Sequence, residues 1–498
     1  MVDVLLTHSY HLANDPKQLR KMQPYAPLGT LYAAAALREA GLSIAVFDTT
    51  MQDPMDSMAQ ALRRQKPAIV VIYEDDFNFL SKMCLSSMRE TSRNIARIAR
   101  EAGKIVIAHG SDATDHVEDY LDYGIDCILT GEAEQTVAAL CAALLQGGQA
   151  DGIPGTVHRN ASGKTVRSSS GAVRNDRWSK SPRAARELID LEPYRSAWKS
   201  THGYFSANVV ASRGCPYRCN WCAKPISGNK FQIRPAEDVV AEIRELKELY
   251  GVEHIWFGDD VFALNHHWTE QFADAMQREK CVLPFKIQSR ADLMSSTTVA
   301  YLRRAGCEEV WMGVESGSQK VLDAMDKGLL LSEVFEARER LRSAGIRACF
   351  FLQFGYPGET WDDIQLTLDL VRATRPDDIG VSLSYPLPGT TFYERVQSQI
   401  GAKRNWKDSD DLCVMFTAAY TNEFYLALRD AMHLEVTSWR KGDGITALQV
   451  EQAWRRLRKM ERSTRNSSVT ELSPAPTVRA QSSGFVPLQL LNAGGGPT

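Results

Sequence analysis

Short apolar runs alternate with helix-period segments over two long stretches of this 498-residue chain. In the first, residues 1–147, strand-like runs fall at 2–7, 43–48, 68–73, 104–108 and 126–130, with helical segments such as 31–40 and 56–65 between them. That pattern predicts a parallel sheet covered on both faces, a five-stranded Rossmann-like α/β domain. Ligands on such sheets bind outside the carboxyl ends of the strands. In the second stretch, residues 201–400, strand candidates are 206–212, 254–258, 285–289, 309–314, 348–354 and 380–385, with a helix at 236–250 among the intervening segments. Six strands rather than eight predict a partial (β/α)6 barrel of the TIM type, with reactive groups at the C-terminal strand ends.

The rest of the chain lacks this rhythm. Residues 148–200 carry Gly, Ser, Asn and Arg, as in Arg167-Ser168-Ser169-Ser170-Gly171, and read as a linker that wraps one domain onto the other. Residues 401–465 read as an appended helical region. Residues 466–498, with Ser473-Pro474-Ala475-Pro476 and Gly494-Gly495-Gly496-Pro497, have the composition of a disordered tail.

Composition narrows the function classes. A net charge of −3 gives no electrostatic footprint for nucleic acid. The basic run Arg455-Arg456-Leu457-Arg458-Lys459 reads as the solvated face of a helix. No stretch approaches the ~18 apolar residues of a membrane span, and the first residues have no basic n-region. Of seven cysteines, Cys84, Cys127, Cys141, Cys281, Cys307, Cys349 and Cys413, most lie in apolar surroundings without mutual spacing. They read as buried free thiols, which predicts a reducing compartment and a cytoplasmic protein.

The other three cysteines carry the chemistry. They stand in Ser212-Arg213-Gly214-Cys215-Pro216-Tyr217-Arg218-Cys219-Asn220-Trp221-Cys222, directly after the strand-like Ala207-Asn208-Val209-Val210-Ala211. Three thiolates on one short loop can hold three irons of a cubane cluster and leave the fourth iron open. A zinc knuckle would need a fourth Cys or His nearby, and the next histidine downstream is His254.

Four more motifs end successive strands. In Gly258-Asp259-Asp260-Val261-Phe262, a carboxylate can pair with an ammonium group or cap the next helix. Gln288-Ser289-Arg290 and Gly313-Val314-Glu315-Ser316 place charges against apolar strands, where each needs a ligand or the other as ion partner. Gly355-Tyr356-Pro357-Gly358-Glu359-Thr360 suits a ligand-side turn or a plain strand-to-helix connection.

In their order and placement these motifs resemble the radical SAM (S-adenosylmethionine) superfamily. The resemblance implies a [4Fe-4S] cluster on Cys215, Cys219 and Cys222, whose open iron chelates SAM. One-electron reduction then yields a 5′-deoxyadenosyl radical that abstracts hydrogen from an unactivated carbon. It further implies Asp259 or Asp260 on the SAM amino group, Arg290, beside Gln288, on its carboxylate, Glu315 or Ser316 on its ribose, and residues 355–360 beside its adenine.

Residues 24–36 around Gly29, His109-Gly110-Ser111-Asp112 and Thr130-Gly131-Glu132-Ala133-Glu134 resemble the cobalamin-binding domain that precedes the barrel in cobalamin-dependent radical SAM enzymes. The resemblance implies that Gly29, Gly110, Ser111, Gly131 and Glu132 border cobalamin, small residues letting the backbone approach a bulky ligand. A nucleotide, or no ligand, is the alternative, although no G-x-G-x-x-G follows the first strand. The Asp-x-His-x-x-Gly motif of cobalt-ligating domains is absent, Asp112 and His116 being four apart. The expectation is therefore no histidine on cobalt, with Tyr73-Glu74-Asp75-Asp76-Phe77-Asn78 covering the lower face.

Asn220-Trp221-Cys222-Ala223-Lys224-Pro225-Ile226, Tyr385-Pro386-Leu387-Pro388-Gly389-Thr390, Met415-Phe416 and above all Asn405-Trp406-Lys407-Asp408-Ser409-Asp410-Asp411-Leu412 resemble the anaerobic magnesium-protoporphyrin IX monomethyl ester oxidative cyclase group. A solvated helix-capping loop is the alternative for the last of these. The expected function is thus oxygen insertion or ring closure at an unactivated C–H bond of a small molecule, such as a tetrapyrrole or secondary metabolite, with flavodoxin or ferredoxin as electron donor. A methylcobalamin-dependent C-methyltransferase and a non-catalytic cobalamin- or cluster-sensing regulator are the alternatives.

Overall fold

The structure, a computed structural model, describes residues 1–77, 83, 85–168, 178, 182–224, 226–439 and 444–466. The expectations for the tail beyond residue 466, for Cys84 and for Asn78 lie outside these residues.

The N-terminal sheet is built from β1 (Val4–Thr7), β2 (Ile44–Phe47), β3 (Ile69–Tyr73), β4 (Ile105–His109) and β5 (Cys127–Leu129), all parallel, in the order 2-1-3-4-5. β1 and β3 are buried throughout, because helices cover both faces. Alternate residues serve opposite cores: Val4, Leu6, Ile69 and Val71 pack in one, Leu5, Val70 and Ile72 in the other. In this strand order the chain reverses direction across the sheet between β1 and β3, which opens a crevice at their carboxyl ends.

Residues 148–168 are not simply a linker. They form an antiparallel hairpin, β6 (Thr156–Arg159) and β7 (Thr165–Arg167), which extends the first sheet beyond β5 to seven strands. Gly163, at φ +79°, makes its turn. Without hydrophobic alternation the hairpin had no sequence signal; edge pairing with β5 forms it. The chain beyond it does wrap: Ala185 donates its N–H to Leu31 of the first domain, while Arg186 reaches Glu242 in the second.

The second sheet contains β8 (Ser206–Val209), β11 (His254–Phe257), β12 (Phe285–Ser289), β13 (Cys307–Glu315), β14 (Arg347–Phe354) and β15 (Asp378–Leu383), parallel and in chain order. A separate ladder pairs β9 (Ser212–Arg213) with β10 (Gln232–Ile233). Six parallel strands in sequence make the expected partial barrel. One face of each strand, including Ile255, Phe257, Ile287, Val310 and Met312, is packed under the helices. The other face, including Trp256, Lys286, Gln288, Trp311 and Phe351, is only half-buried and lines a lumen.

The first domain lies over the barrel's open side. Asn208 on β8 donates to the Ala26 carbonyl (2.8 Å), Trp198 Nε1 to the Pro24 carbonyl (2.7 Å), and the Tyr25 hydroxyl meets Ser206 Oγ at 3.2 Å. Lys21 sits in the field of Asp378 at the start of β15.

Residues 401–466 are not merely appended. The helices Asn422–Ser438 and Ala447–Thr464 bury Phe424, Tyr425, Leu428 and Leu457 in the barrel's own core. The stretch 405–412 clamps the two domains. The Trp406 carbonyl accepts from Ser86 N (2.8 Å), its indole donates to Cys413 O (3.0 Å), and its ring lies 4.5 Å from Tyr385. Ser409 Oγ donates to Asp15 (2.6 Å) and Asp410 pairs with Arg20 (2.7 Å).

Trp406→Ala therefore removes a buried aromatic and loosens a clamp between domains. The expected loss is about 3–5 kcal/mol, read as a lower denaturant midpoint in chemical unfolding.

Candidate functional site

The cysteine loop is pinned at both ends. β9 and β10 pair Arg213 with Gln232 and Ser212 with Ile233, closing residues 214–231 into one excursion. Gly214 has φ +73°, and a Cβ there would sit 2.0 Å from the Lys230 carbonyl oxygen, so only glycine fits before Cys215. Lys224 Nζ braces the interior, donating to the Cys215 and Tyr217 carbonyls and to Asn229 Oδ1. Asn220 ties the middle to the barrel, its side-chain amide donating to Ala324 O and Asp326 (both 2.8 Å). Cys215, Cys219 and Cys222 are partly exposed. A braced loop presenting three accessible thiols fits a cluster ligand set.

The two adjacent aspartates play different parts. Asp259 is buried, accepting from Ala211 N (3.1 Å) and from Ser212 Oγ, and thereby holds the chain entering the cysteine loop. Burial pushes its carboxyl up to about 7 despite those hydrogen bonds. Both its oxygens are occupied, so it does not suit an external ammonium. Asp260 is exposed and lines a cleft between the domains.

Arg290, buried at the end of β12, stacks 3.8 Å over Tyr217 of the cysteine loop. It pairs with Asp292 (2.9 Å) and donates to the Lys327 and Gly328 carbonyls. Glu315 is paired with Lys327 (2.8 Å), so no Arg290–Glu315 pair bridges the mouth. Glu315 holds φ +65°, beside a register shift between β13 and β14. A non-glycine residue in that region costs about 1–3 kcal/mol, a cost often met at functional sites. Gly313 leaves room for the pair, since a Cβ there would lie 2.7 Å from Glu315 Oε1.

One expectation, for Ser316, is corrected by burial. Ser316 is fully buried, with its hydroxyl on Thr367 (3.2 Å), and cannot reach a ribose in the mouth. The turn at 355–360 is a strand-to-helix connection: Gly355 makes room for Val414 and Tyr425, and Thr360 caps the next helix. Gln288 does face the lumen, level with Trp311.

In the first domain, Gly29 is small for the protein's own sake. A Cβ would meet the Glu74 carbonyl at 2.8 Å, and its N–H donates to Asp75 (2.9 Å). Gly110, at φ +141°, abuts the Glu74 side chain in the same way. Gly131, at φ +75°, offers its carbonyl to His109 Nε2 (2.8 Å). Glu132 is buried and meets Gln232 on β10 (3.4 Å). Of the five residues, Ser111 lines the cleft, its buried hydroxyl without a hydrogen-bond partner. His8 is committed to Asp48 (2.9 Å) and Thr49, while His109, stacked on Tyr73, is held neutral by burial, pushed down to about 4.

That cleft joins the two halves. Asp76, Phe77 and Ser111 from the β3 and β4 ends face Ser212, Gly214 and Asp260 beside the cysteine loop, around about 470 Å³ including the solvent-facing mouth. One edge is closed by Arg213, whose guanidinium pairs with Glu134, both buried, amid Trp178 (4.6 Å) and Phe77 (5.0 Å). Sequence reasoning missed Glu134, Lys224 and Lys327 as parts of the site. Arg213, Glu134 and Lys224 stand within the motifs at 212–222, 130–134 and 220–226 without a role read for them, and Lys327 carried no signal.

The comparisons with known proteins agree with this geometry. Residues 209–371 match the radical SAM superfamily and residues 23–141 match the B12 binding domain. The chain belongs to the cobalamin-dependent radical SAM enzymes. Its cofactors are a [4Fe-4S] cluster, SAM and cobalamin. Among its relatives, an uncharacterized methyltransferase of Pyrococcus horikoshii is 24% identical over 394 residues, 76% of this chain and 81% of that one. The hopanoid C-3 methylase of Methylococcus capsulatus is 24% identical over 390 residues, 75% of this chain and 69% of that one. The anaerobic magnesium-protoporphyrin IX monomethyl ester cyclase of a Synechocystis strain is 26% identical over 336 residues, 64% and 62% of the two chains. Two solved structures share the fold. The methyltransferase TsrM from Kitasatospora setae with cobalamin and cluster bound has TM-score 0.65, 19% identity and coverage of 80% and 75%. OxsB with aqua-cobalamin bound has TM-score 0.69, 15% identity and coverage of 93% and 71%. No helix among the described residues of this cobalamin-dependent radical SAM enzyme is long and apolar enough to cross a membrane.

Asp259 makes stability depend on pH. The folded carboxyl keeps its proton to about pH 7, whereas in the unfolded chain it is lost near pH 4. The unfolded state then binds fewer protons between those values, so stability falls as pH rises through them and levels off above. Asp259→Asn, which mimics the protonated acid, is expected to flatten that fall in denaturation midpoints measured from pH 4 to 8.

Proposed function

We propose that this enzyme methylates an unactivated carbon of a small molecule held in the barrel lumen. The observation that carries the reading is the shared cleft, where the cysteine loop and the carboxyl ends of the B12-binding sheet face each other. The cluster and SAM supply radical chemistry, and cobalamin supplies a methyl carrier. In this reading Cys215, Cys219 and Cys222 ligate the cluster, Asp260 takes the SAM ammonium and Arg290 its carboxylate. Glu315, its charge balanced by Lys327, accepts from the ribose hydroxyls. Ser111, together with the Asp76–Phe77 turn, borders cobalamin. Arg213 and Glu134 hold the two sites at a fixed separation and exclude water from one edge.

Methyl transfer is preferred to oxidative cyclisation on two grounds. Two relatives that cover about three quarters of this chain and more than two thirds of their own length are named as a methyltransferase and a methylase, whereas a cyclase that covers 76% of this chain is matched over 61% of its own length. The stretch 405–412, on which the cyclase resemblance leaned most, has a structural task as the clamp between domains.

Labelled SAM tests the reading. Anaerobically reconstituted enzyme, reductant, methyl-labelled SAM and a small-molecule extract should give a labelled product. An unlabelled product carrying oxygen from labelled water would establish the cyclase chemistry instead, and absence of both product and 5′-deoxyadenosine would leave a regulator. Asp260→Asn is expected to weaken SAM binding by about tenfold, the loss of one charge-assisted contact. Titration of the cluster's electron paramagnetic resonance signal with SAM measures it, and an unchanged midpoint would reassign the ammonium site.

A further inference from the structure

On the lumen face of the barrel, register places Trp256 of β11 beside Lys286 of β12, and Lys286 beside Glu309 of β13. The Lys286 ammonium lies 5.8 Å from the ring centre of Tyr25 and 5.9 Å from that of Trp256. Protein surrounds it on nearly all sides, yet the residue keeps some exposure to the lumen. Among the described residues it has no hydrogen bond and no ion pair. The carboxylate nearest in register, Glu309, is already committed to Arg347 (2.7 Å) and to the Trp311 indole (2.7 Å). Burial accordingly pushes the Lys286 amine down. A recessed cation whose nearest carboxylate is already paired elsewhere is costly unless a ligand adds a counter-charge.

Above it the lumen is aromatic and flat. Trp311 and Phe351 stack at 4.8 Å, and Gly380 opposite leaves room, since a Cβ there would lie 3.0 Å from Phe351. Lys286 stands three residues before Ser289, the last residue of β12, which at 3.3 Å per residue puts it about 10 Å below the mouth.

We infer that Lys286 is the anchor for an anionic head group of the substrate, a carboxylate or phosphate, on a molecule whose planar apolar body lies against Trp256, Trp311 and Phe351. This rests on the reading of the lumen as the substrate chamber. It adds the substrate class: an aromatic acid or aryl phosphate. Tyr25, delivered by the B12-binding domain, completes the wall around the anchor, so the chamber is whole only when the domains are docked.

The test is binding to the reconstituted full-length enzyme without reductant, so it does not depend on which product is formed. The probes are 1-naphthylacetate, 1-naphthyl phosphate and the neutral 1-naphthylacetamide, followed by quenching of tryptophan fluorescence. At least one anion should bind about tenfold or more tighter than the amide, and the tighter anion identifies the head group. Lys286→Met should abolish the preference and Lys286→Arg retain it, with the cluster absorption of each variant matching wild type to show an intact fold. Equal binding of anions and amide, a preference that survives Lys286→Met, or no binding of either anion would overturn the assignment. A failed labelled-SAM experiment beside a positive result here would revise the reaction and leave the anchor standing.

Discussion

The ion pair between Arg213 and Glu134 joins the two halves of this enzyme at the point where they must meet. Both side chains are buried, and rings of Trp178, Phe77 and Tyr32 surround the guanidinium. Taking an arginine out of water is expensive, so the arrangement persists only if its partner is in place. Arg213 belongs to β9, immediately before the cysteine loop, and Glu134 begins the helix after β5. The pair thereby fixes where the thiols stand relative to the carboxyl ends of the first sheet. Its worth is geometric more than energetic: a misplaced Glu134 would leave a buried charge uncompensated, which disfavours every other docking of the domains.

An incomplete barrel turns this docking into a functional requirement. A closed eight-stranded barrel fills its interior with side chains. Here six strands leave an open side and a partly solvated lumen, and the segment around Tyr25 covers it from the other domain. The B12-binding domain is therefore both a cofactor carrier and a wall of the chamber. The clamp at 405–412 acts from the far end of the chain, tying Trp406 and Ser409 to residues of the first domain. Three separated segments enforce one orientation.

Family resemblance informs cofactors more firmly than product, and the residues explain why. The thiols, their bracing by Lys224 and Asn220, and the cleft serve any reaction that brings SAM and cobalamin together. In the proposed reading, what distinguishes one reaction from another lies on the lumen face, in Trp256, Lys286, Trp311 and Phe351. Those side chains alternate with core residues along the same strands, so their spacing says only that a strand is present.

By itself the sequence determined the α/β architecture, the parallel strands of both domains and a loop carrying three thiols. Each is encoded locally: strands by apolar runs bounded by turns, and the cysteine loop by three thiols within eight residues after a strand. Tertiary structure alone decided what faces what. Asp259 and Asp260 are indistinguishable as neighbours in sequence, yet packing turned one into a brace for the loop and left the other in the cleft. Gly29 and Gly110 read as room for a ligand, and in the structure each abuts the loop after β3. Ser316 read as a ribose contact, and a helix at Thr367 claimed its hydroxyl. Lys286 carried no motif at all, because an unpaired cation becomes visible only when its neighbours are known. Local patterns record backbone periodicity and burial, whereas a polar group's role depends on partners brought from distant parts of the chain.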